Sequence, residues 1–187
     1  MKNGTDRQVV SKLSKIHPGH FARYKFAMSR VSGYVLDAAC GVGYGSYMLS
    51  NVAECVGVDI ERQAIEYAIQ YYPGPEYRIA DVTEPQGAFD WVVSFETIEH
   101  LKEPEKALRA FRESDKLIIS TPNEELYPFR QEQHNESKYP HIRHYTPDQF
   151  EELLTGCGWK VKERHGQVTK LSDVSRGTGK FLVWVCE

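Results

Sequence analysis

Nowhere in its 187 residues does the chain hold an apolar run approaching the roughly 20 residues that a membrane-spanning helix needs, so insertion into a bilayer is not expected. Cysteine is sparse: Cys40, Cys55, Cys157 and Cys186 stand far apart with no Cys-x-x-Cys pair, which argues against a zinc ribbon or a disulfide framework. A surplus of positive charge is also missing. The 23 basic residues face 26 acidic ones, for a net charge of −3, and such a chain lacks the broad field that non-specific nucleic-acid binding uses. The opening segment MKNGTDRQVVSKLSKIHPGH has no continuous apolar stretch, so no secretory signal is expected there and the expected location is the cytoplasm. Internal repeats, low-complexity tracts and linker-like stretches are absent as well. With 41% hydrophobic and 26% charged residues, the composition is that of one globular domain spanning 1–187.

What is present is an alternation of short apolar runs with helical patterns, the mark of an α/β sheet. Runs 34–39, 54–58, 77–80, 89–95, 116–120, 159–163 and 181–186 read as seven strands. Segments 20–31, 45–50, 62–71, 104–112 and 146–154 read as helices. Thr146 suits an N-cap, Pro147 a first helical position, and Gly156 a stop. Between the third and fourth strands the few residues from Asp81 to Ala88 leave no room for a crossover helix. The expected fold is therefore a doubly wound, mostly parallel seven-stranded sheet, trimmed at that point, with an amino-terminal helical segment over 1–31. Such sheets bind ligands outside the carboxyl ends of their strands. Residues 121–145 show no periodicity, and so long a connection in one domain is usually functional.

The first strand leads into Asp37-Ala38-Ala39-Cys40-Gly41-Val42-Gly43-Tyr44-Gly45, where glycines let the backbone approach a ligand. The second strand ends in Asp59, roughly 20 residues beyond the loop, where an acid hydrogen-bonds the ribose hydroxyls of an adenosine ligand. Ser46 stands where the third glycine of a nicotinamide fingerprint belongs. Asp37 would repel a pyrophosphate but attract a ligand bearing sulfonium and ammonium groups. The cofactor read from these residues is S-adenosylmethionine rather than NAD.

The run VLDAACGVGYGS, followed by VGVDI, IADVTE and FDWVVSFETIEHL, resembles the successive motifs of class I S-adenosylmethionine-dependent methyltransferases over about residues 20–165. The leading HFARYKFA resembles a segment of bacterial members, of the methyltransferase-domain 11 and 23 type, that act on glycans and small molecules. The resemblance implies that Gly41 and Gly43 line the methionine moiety with Asp37 near its charged groups, and that Arg23 or Tyr24 closes over the carboxylate. It implies that Asp59 holds the ribose, that Ile60, Asp81 and Val82 surround the adenine, and that Phe95 and Glu96 border the methyl-transfer end. On residue chemistry alone, Asp81 reads equally as a turn residue after a short strand.

Glu96, Glu99 and His100 follow the fourth strand, so they are the candidates for aligning an acceptor and taking its proton. A hydroxyl acceptor needs a general base or a metal. The Glu-x-x-Glu-His pattern is similar to one associated with a divalent ion in ubiquinone-biosynthesis O-methyltransferases and in enzymes that 2′-O-methylate small RNAs. Metal binding is not the favoured reading; Glu96, Glu99, His100 and His144 are its candidate ligands. STPN followed by YPHIRHYTPDQFEELL resembles sugar- and envelope-modifying relatives, except that His144 replaces their usual glutamate. His141, Arg143 and His144 are the candidate acceptor contacts, while His134 reads as a solvated loop residue. The leading expectation is O-methylation of a sugar, glycan or small metabolite. The alternatives are a metal-dependent RNA 2′-O-methyltransferase and a non-catalytic scaffold of the same fold.

Overall fold

The structure is a computed structural model describing residues 8–134 and 138–187. Residues 1–7 of the expected amino-terminal segment and residues 135–137 of the expected acceptor-side loop lie outside the described residues. In chain order the helices and strands are α1 (Pro18–Met28), β1 (Tyr34–Ala38), α2 (Tyr44–Leu49), β2 (Glu54–Asp59), α3 (Arg62–Tyr71), β3 (Glu76–Ile79) and β4 (Trp91–Phe95). They continue with α4 (Pro104–Ala110), β5 (Lys116–Pro122), α5 (Pro147–Gly156), β6 (Val161–Gln167), β7 (Ser175–Arg176) and β8 (Phe181–Cys186).

One sheet runs in the order β3-β2-β1-β4-β5-β8-β6-β7. Strands β1 to β5 pair in parallel, and β8 inserts antiparallel between β5 and β6. Among the described residues the strands number eight, one more than the seven expected. The extra one, β7, is two exposed residues opposite His165 and Gly166 at the sheet edge, too short to leave any periodic signal. No helix intervenes between β3 and β4, as their spacing requires.

Period-two alternation divides the core between the two faces of the sheet. Val35, Trp91, Val93, Ile118 and Val183 pack with residues of α1, α2 and α3. Leu36, Val92, Leu117, Ile119, Leu182 and Trp184 pack with residues of α4 and α5. Local chemistry sets the helix ends. In α5 the Thr146 side chain accepts from Gln149 N–H while the Gln149 side chain accepts from Thr146 N–H, and Pro147 takes the first turn. The consequence for function is the reversal of strand order between β1 and β4, which opens a crevice at their carboxyl ends.

Candidate active site

A cavity of about 470 Å³ lies at the carboxyl ends of β1, β2, β3 and β4, with Gly41, Asp59, Ile60, Val82 and Phe95 in its wall. Asp59 organises one side. Its Oδ2 accepts from Gly41 N–H at 2.9 Å and its Oδ1 from Glu61 N–H at 2.8 Å, so one buried carboxylate joins the glycine loop to the end of β2. Gly41 has φ +59°, and a Cβ built there would meet nothing within 4 Å, because the space before it is cavity. Ile60 is 56% exposed toward this opening, and Asp81 and Val82 also line it. The Asp81 Oδ1 accepts from Thr83 N–H at 2.9 Å and from Thr83 Oγ1 at 2.8 Å, so it closes a turn while facing the cavity.

Two residues of the glycine-loop expectation stand elsewhere. Gly43, at φ +86°, is the left-handed N-cap of α2, and a Cβ there would come within 2.5 Å of Ala68. It serves packing against α3 and is not in the cavity wall. Asp37 lies behind that wall, fully buried, where Tyr24 OH donates to Oδ1 at 3.1 Å and Ser46 Oγ to Oδ2 at 2.7 Å. Burial raises its pKa to about 7 against the lowering effect of those hydrogen bonds. Asp37 touches the cavity wall through the Tyr24 phenol, and its charge is also felt by Cys40 and Asp59 in that wall.

The amino-terminal helix forms the opposite wall through His20, Arg23 and Tyr24. The Tyr24 ring meets Phe95 edge-on at 5.1 Å and Tyr44 at 5.9 Å. His20 Nδ1 lies 2.6 Å from Tyr44 OH. Burial first, then the charge of Arg23, depresses the His20 pKa to about 3, so this imidazole stays neutral. Arg23 is 2% exposed and donates from Nη1 to Gln167 Oε1 at 2.6 Å. Sequence reading gave no role to His20, Tyr44 or Gln167; Tyr44 beside the loop glycines was the available clue. At the far end Glu61 Oε2 accepts from Lys138 Nζ and from Tyr139 OH, and these two residues line the cavity there.

The Glu-x-x-Glu-His segment is divided by burial. Glu96 adopts φ +52°, an unfavourable backbone for a side-chain-bearing residue, and its Oε1 accepts from Ser120 Oγ at 2.7 Å. Glu96 and His100 line the cavity. Glu99 does not; it is fully buried and accepts from Thr121 Oγ1 at 3.1 Å. Burial, reinforced by neighbouring Glu96, holds its carboxyl well above the usual carboxylate range.

His141 lies behind His100, the rings 4.5 Å apart and edge-on. Burial, then the neighbouring imidazoles, lowers the His141 pKa to about 2, and burial also lowers that of His144. Both are thus neutral, and their tautomers follow from their partners. His144 Nδ1 faces the Tyr127 carbonyl at 2.7 Å, which can only accept, so Nδ1 carries the proton. His144 Nε2 must then accept from His141 Nδ1–H at 2.9 Å, leaving His141 Nε2 with its lone pair.

Atoms of Glu99, His100 and His141 capable of holding a metal lie within 4.8 Å of one another, as do those of His134, His141 and His144. The expected set of Glu96, Glu99, His100 and His144 is not what converges. Glu96 is turned to Ser120, and His144 to Tyr127 and His141. Nor is His134 solvated; at 3% exposure it stacks on His141 with centroids 4.2 Å apart. Arg143 and His144 border a second hollow of about 540 Å³ between α4 and α5 rather than the main cavity.

Comparison with known proteins finds the methyltransferase domain over residues 14–164. A probable S-adenosylmethionine-dependent methyltransferase of Mycolicibacterium smegmatis is 29% identical over 79% of this chain and 60% of its own length. One of Mycobacterium tuberculosis is 33% identical over 67% of this chain and 48% of its own. The chain thus spans only about half to three fifths of these curated relatives. The crystal structure of magnesium protoporphyrin IX methyltransferase from Synechocystis PCC 6803, with bound S-adenosylhomocysteine (SAH), shares the fold at a TM-score of 0.69. It is 18% identical, over 97% of this chain and 89% of that one.

Proposed function

The chain belongs to the S-adenosylmethionine-dependent methyltransferases, and from that membership we propose that its main cavity binds S-adenosylmethionine and transfers the methyl group to a hydroxyl of a sugar, glycan or small metabolite in the cytoplasm. The observation that carries this reading is the Asp59 carboxylate tied to the glycine loop, with exposed Ile60 and Asp81 beside it on a cavity of cofactor size. In it Asp59 takes the ribose, and Ile60, Asp81 and Val82 the adenine. Gly41 borders the methionine tail, with Tyr24 and Phe95 at the sulfonium end. Asp37 acts on the sulfonium and ammonium charges through Tyr24, and Gly43 shapes the loop.

In the transfer step the carbon–sulfur bond of the sulfonium breaks as the oxygen–carbon bond forms, and SAH leaves neutral at sulfur. The acceptor's proton passes to His100, the imidazole facing the cavity. Glu96 helps to orient the hydroxyl, and Glu99 and His141 back the His100 ring. This reading assigns His141 to orienting His100 and leaves Arg143 and His144 outside the acceptor contacts.

A second reading, metal-dependent 2′-O-methylation of RNA, is favoured by one observation, the convergence of Glu99, His100 and His141. Glu99 Oε1 is a buried oxygen with no hydrogen-bond partner among the described residues. One carboxylate with two imidazoles suits a divalent ion, so these residues fit the group. Such an ion would lower the pKa of an acceptor hydroxyl, and the three residues would hold it.

Transfer of radiolabelled methyl from S-adenosylmethionine into a fractionated extract, with and without chelator, tests the two together. Label in a glycan or small-molecule fraction that ignores chelator is expected. Label in RNA that chelator abolishes selects the second reading, and no label in any fraction rejects both.

A further inference from the structure

Arg23 is a cation in an unusual setting. Its side chain is 2% exposed yet lines the main cavity. Its hydrogen bond goes to a neutral amide, Gln167 Oε1, at 2.6 Å, and its guanidinium lies 5.0 Å from the Phe181 ring centroid. That amide is held in place, since Gln167 Nε2 donates to the carbonyls of Gly19 at 3.0 Å and Ser172 at 2.7 Å. The Nε–H is buried and has no partner among the described residues. Among the same residues no carboxylate lies within 4 Å of the guanidinium. Glu99 feels its charge from beyond ion-pair distance. Burying a charge without a counter-ion is costly, and such a group commonly marks where a charged ligand completes the site.

Position says which ligand. The contacts of Arg23 lie on β6 and β8, beyond β5, whereas Asp59, Gly41 and Ile60 belong to the β1–β2 half. Lys170 adds to the same corner. Its Nζ meets the Tyr127 hydroxyl at 3.3 Å, and its charge, like that of Arg23, is felt by His17 and His20. We propose that Arg23, supported by Lys170, is an anion subsite for the methyl acceptor, which therefore carries a carboxylate or phosphate near the hydroxyl that is methylated. This rests on the methyltransferase reading and narrows its substrate class to anionic acceptors, such as acidic or phosphorylated sugars.

The test is calorimetry on the wild-type protein, R23Q, R23K and K170A. Binding of SAH by the wild type is measured first, and its absence would count against the methyltransferase reading alone. Citrate, D-glucuronate and glycerol 3-phosphate, with glucose and glycerol as neutral counterparts, are then titrated into protein with and without SAH, so that the anion arm has its own answer. At least one oxyanion is expected to bind where its neutral counterpart does not. Its affinity should fall about tenfold to a hundredfold in R23Q, recover in part in R23K, and fall a few-fold in K170A, an exposed change that leaves the core untouched. Affinity for 5′-methylthioadenosine, which lacks the amino-acid tail, should be equal in all four proteins and shows that R23Q is folded. Two results overturn the proposal: no Arg23-dependent binding of any oxyanion, or a loss of SAH but not methylthioadenosine affinity in R23Q, which would assign the guanidinium to the cofactor's own carboxylate.

Discussion

Asp37 shows how burial at a single residue becomes a property of the whole protein. Its carboxyl titrates at about 7 rather than 3.8, so the folded state holds this proton more tightly than the unfolded one. Its contribution to stability is complete below pH ~4 and is lost as pH rises through about 7. The free protein should therefore lose up to about 4 kcal/mol across that window from this group. Asp37→Asn should flatten the loss, as urea unfolding at several pH values would show; parallel profiles would mean that the carboxyl is ionised throughout. Asp59 matters through its hydrogen bonds. It accepts two loop N–H groups, so Asp59→Ala removes both the proposed ribose acceptor and the brace on Gly41. A tenfold to hundredfold loss of SAH affinity, on the order of a lost charge-assisted pair, is expected in calorimetry. His100→Ala should spare that affinity and slow methyl transfer by roughly a hundredfold or more, the usual worth of a general base. Unchanged turnover would remove His100 from the mechanism.

At the scale of elements, the close approach of α1 and α2 decides the shape of the cavity. A Cβ on Gly45 would stand 1.9 Å from Cζ of Tyr24, so the phenol that covers Asp37 fits only because the second helix begins without a side chain at that point. Gly45→Ala should push α1 outward, costing about 1–3 kcal/mol as overpacking does, with a lower thermal midpoint and weaker SAH binding together. Normal cofactor affinity in this variant would show that Tyr24 is not part of the pocket. Most element boundaries were legible in the chain. The expected helix 62–71 is α3, and Thr146, Pro147 and Gly156 delimit α5 as their chemistry requires. The expected leading helix 20–31 instead runs Pro18–Met28, opened by proline and by the His17 side chain accepting from Gly19 N–H.

In the molecule as a whole, the acceptor side depends on how the long connection after β5 is tied to the last strand. Asn123 is fully buried, and its Nδ2 donates to Thr178 Oγ1 at 3.1 Å and to the Gly179 carbonyl at 2.9 Å. Its Oδ1 accepts from Glu125 N–H at 3.0 Å. Asn123→Ala would strand these groups and cost about 2–3 kcal/mol, and hydrogen exchange should quicken first in 121–134 and 177–180. A change confined to other segments would show that the tether is not structural. Later in the same connection His141 stands behind His100 and Tyr139 beside Glu61.

The α/β class, the parallel core of the sheet, the missing helix before β4, and the glycine loop followed by an acid could all be read along the chain. Each is written in local periodicity or in short spacing along the chain, which hydrophobic burial and backbone geometry read directly. Which of the named residues face the cavity depends instead on how the folded chain packs. Glu99 and His100 are adjacent in the chain, yet one is sealed beneath Thr121 and the other is open. The series of contacts from Tyr127 through buried His144 and His141 to His100 likewise joins segments far apart in sequence. Such contacts are set by the register of packed strands and loops, and no local pattern encodes them.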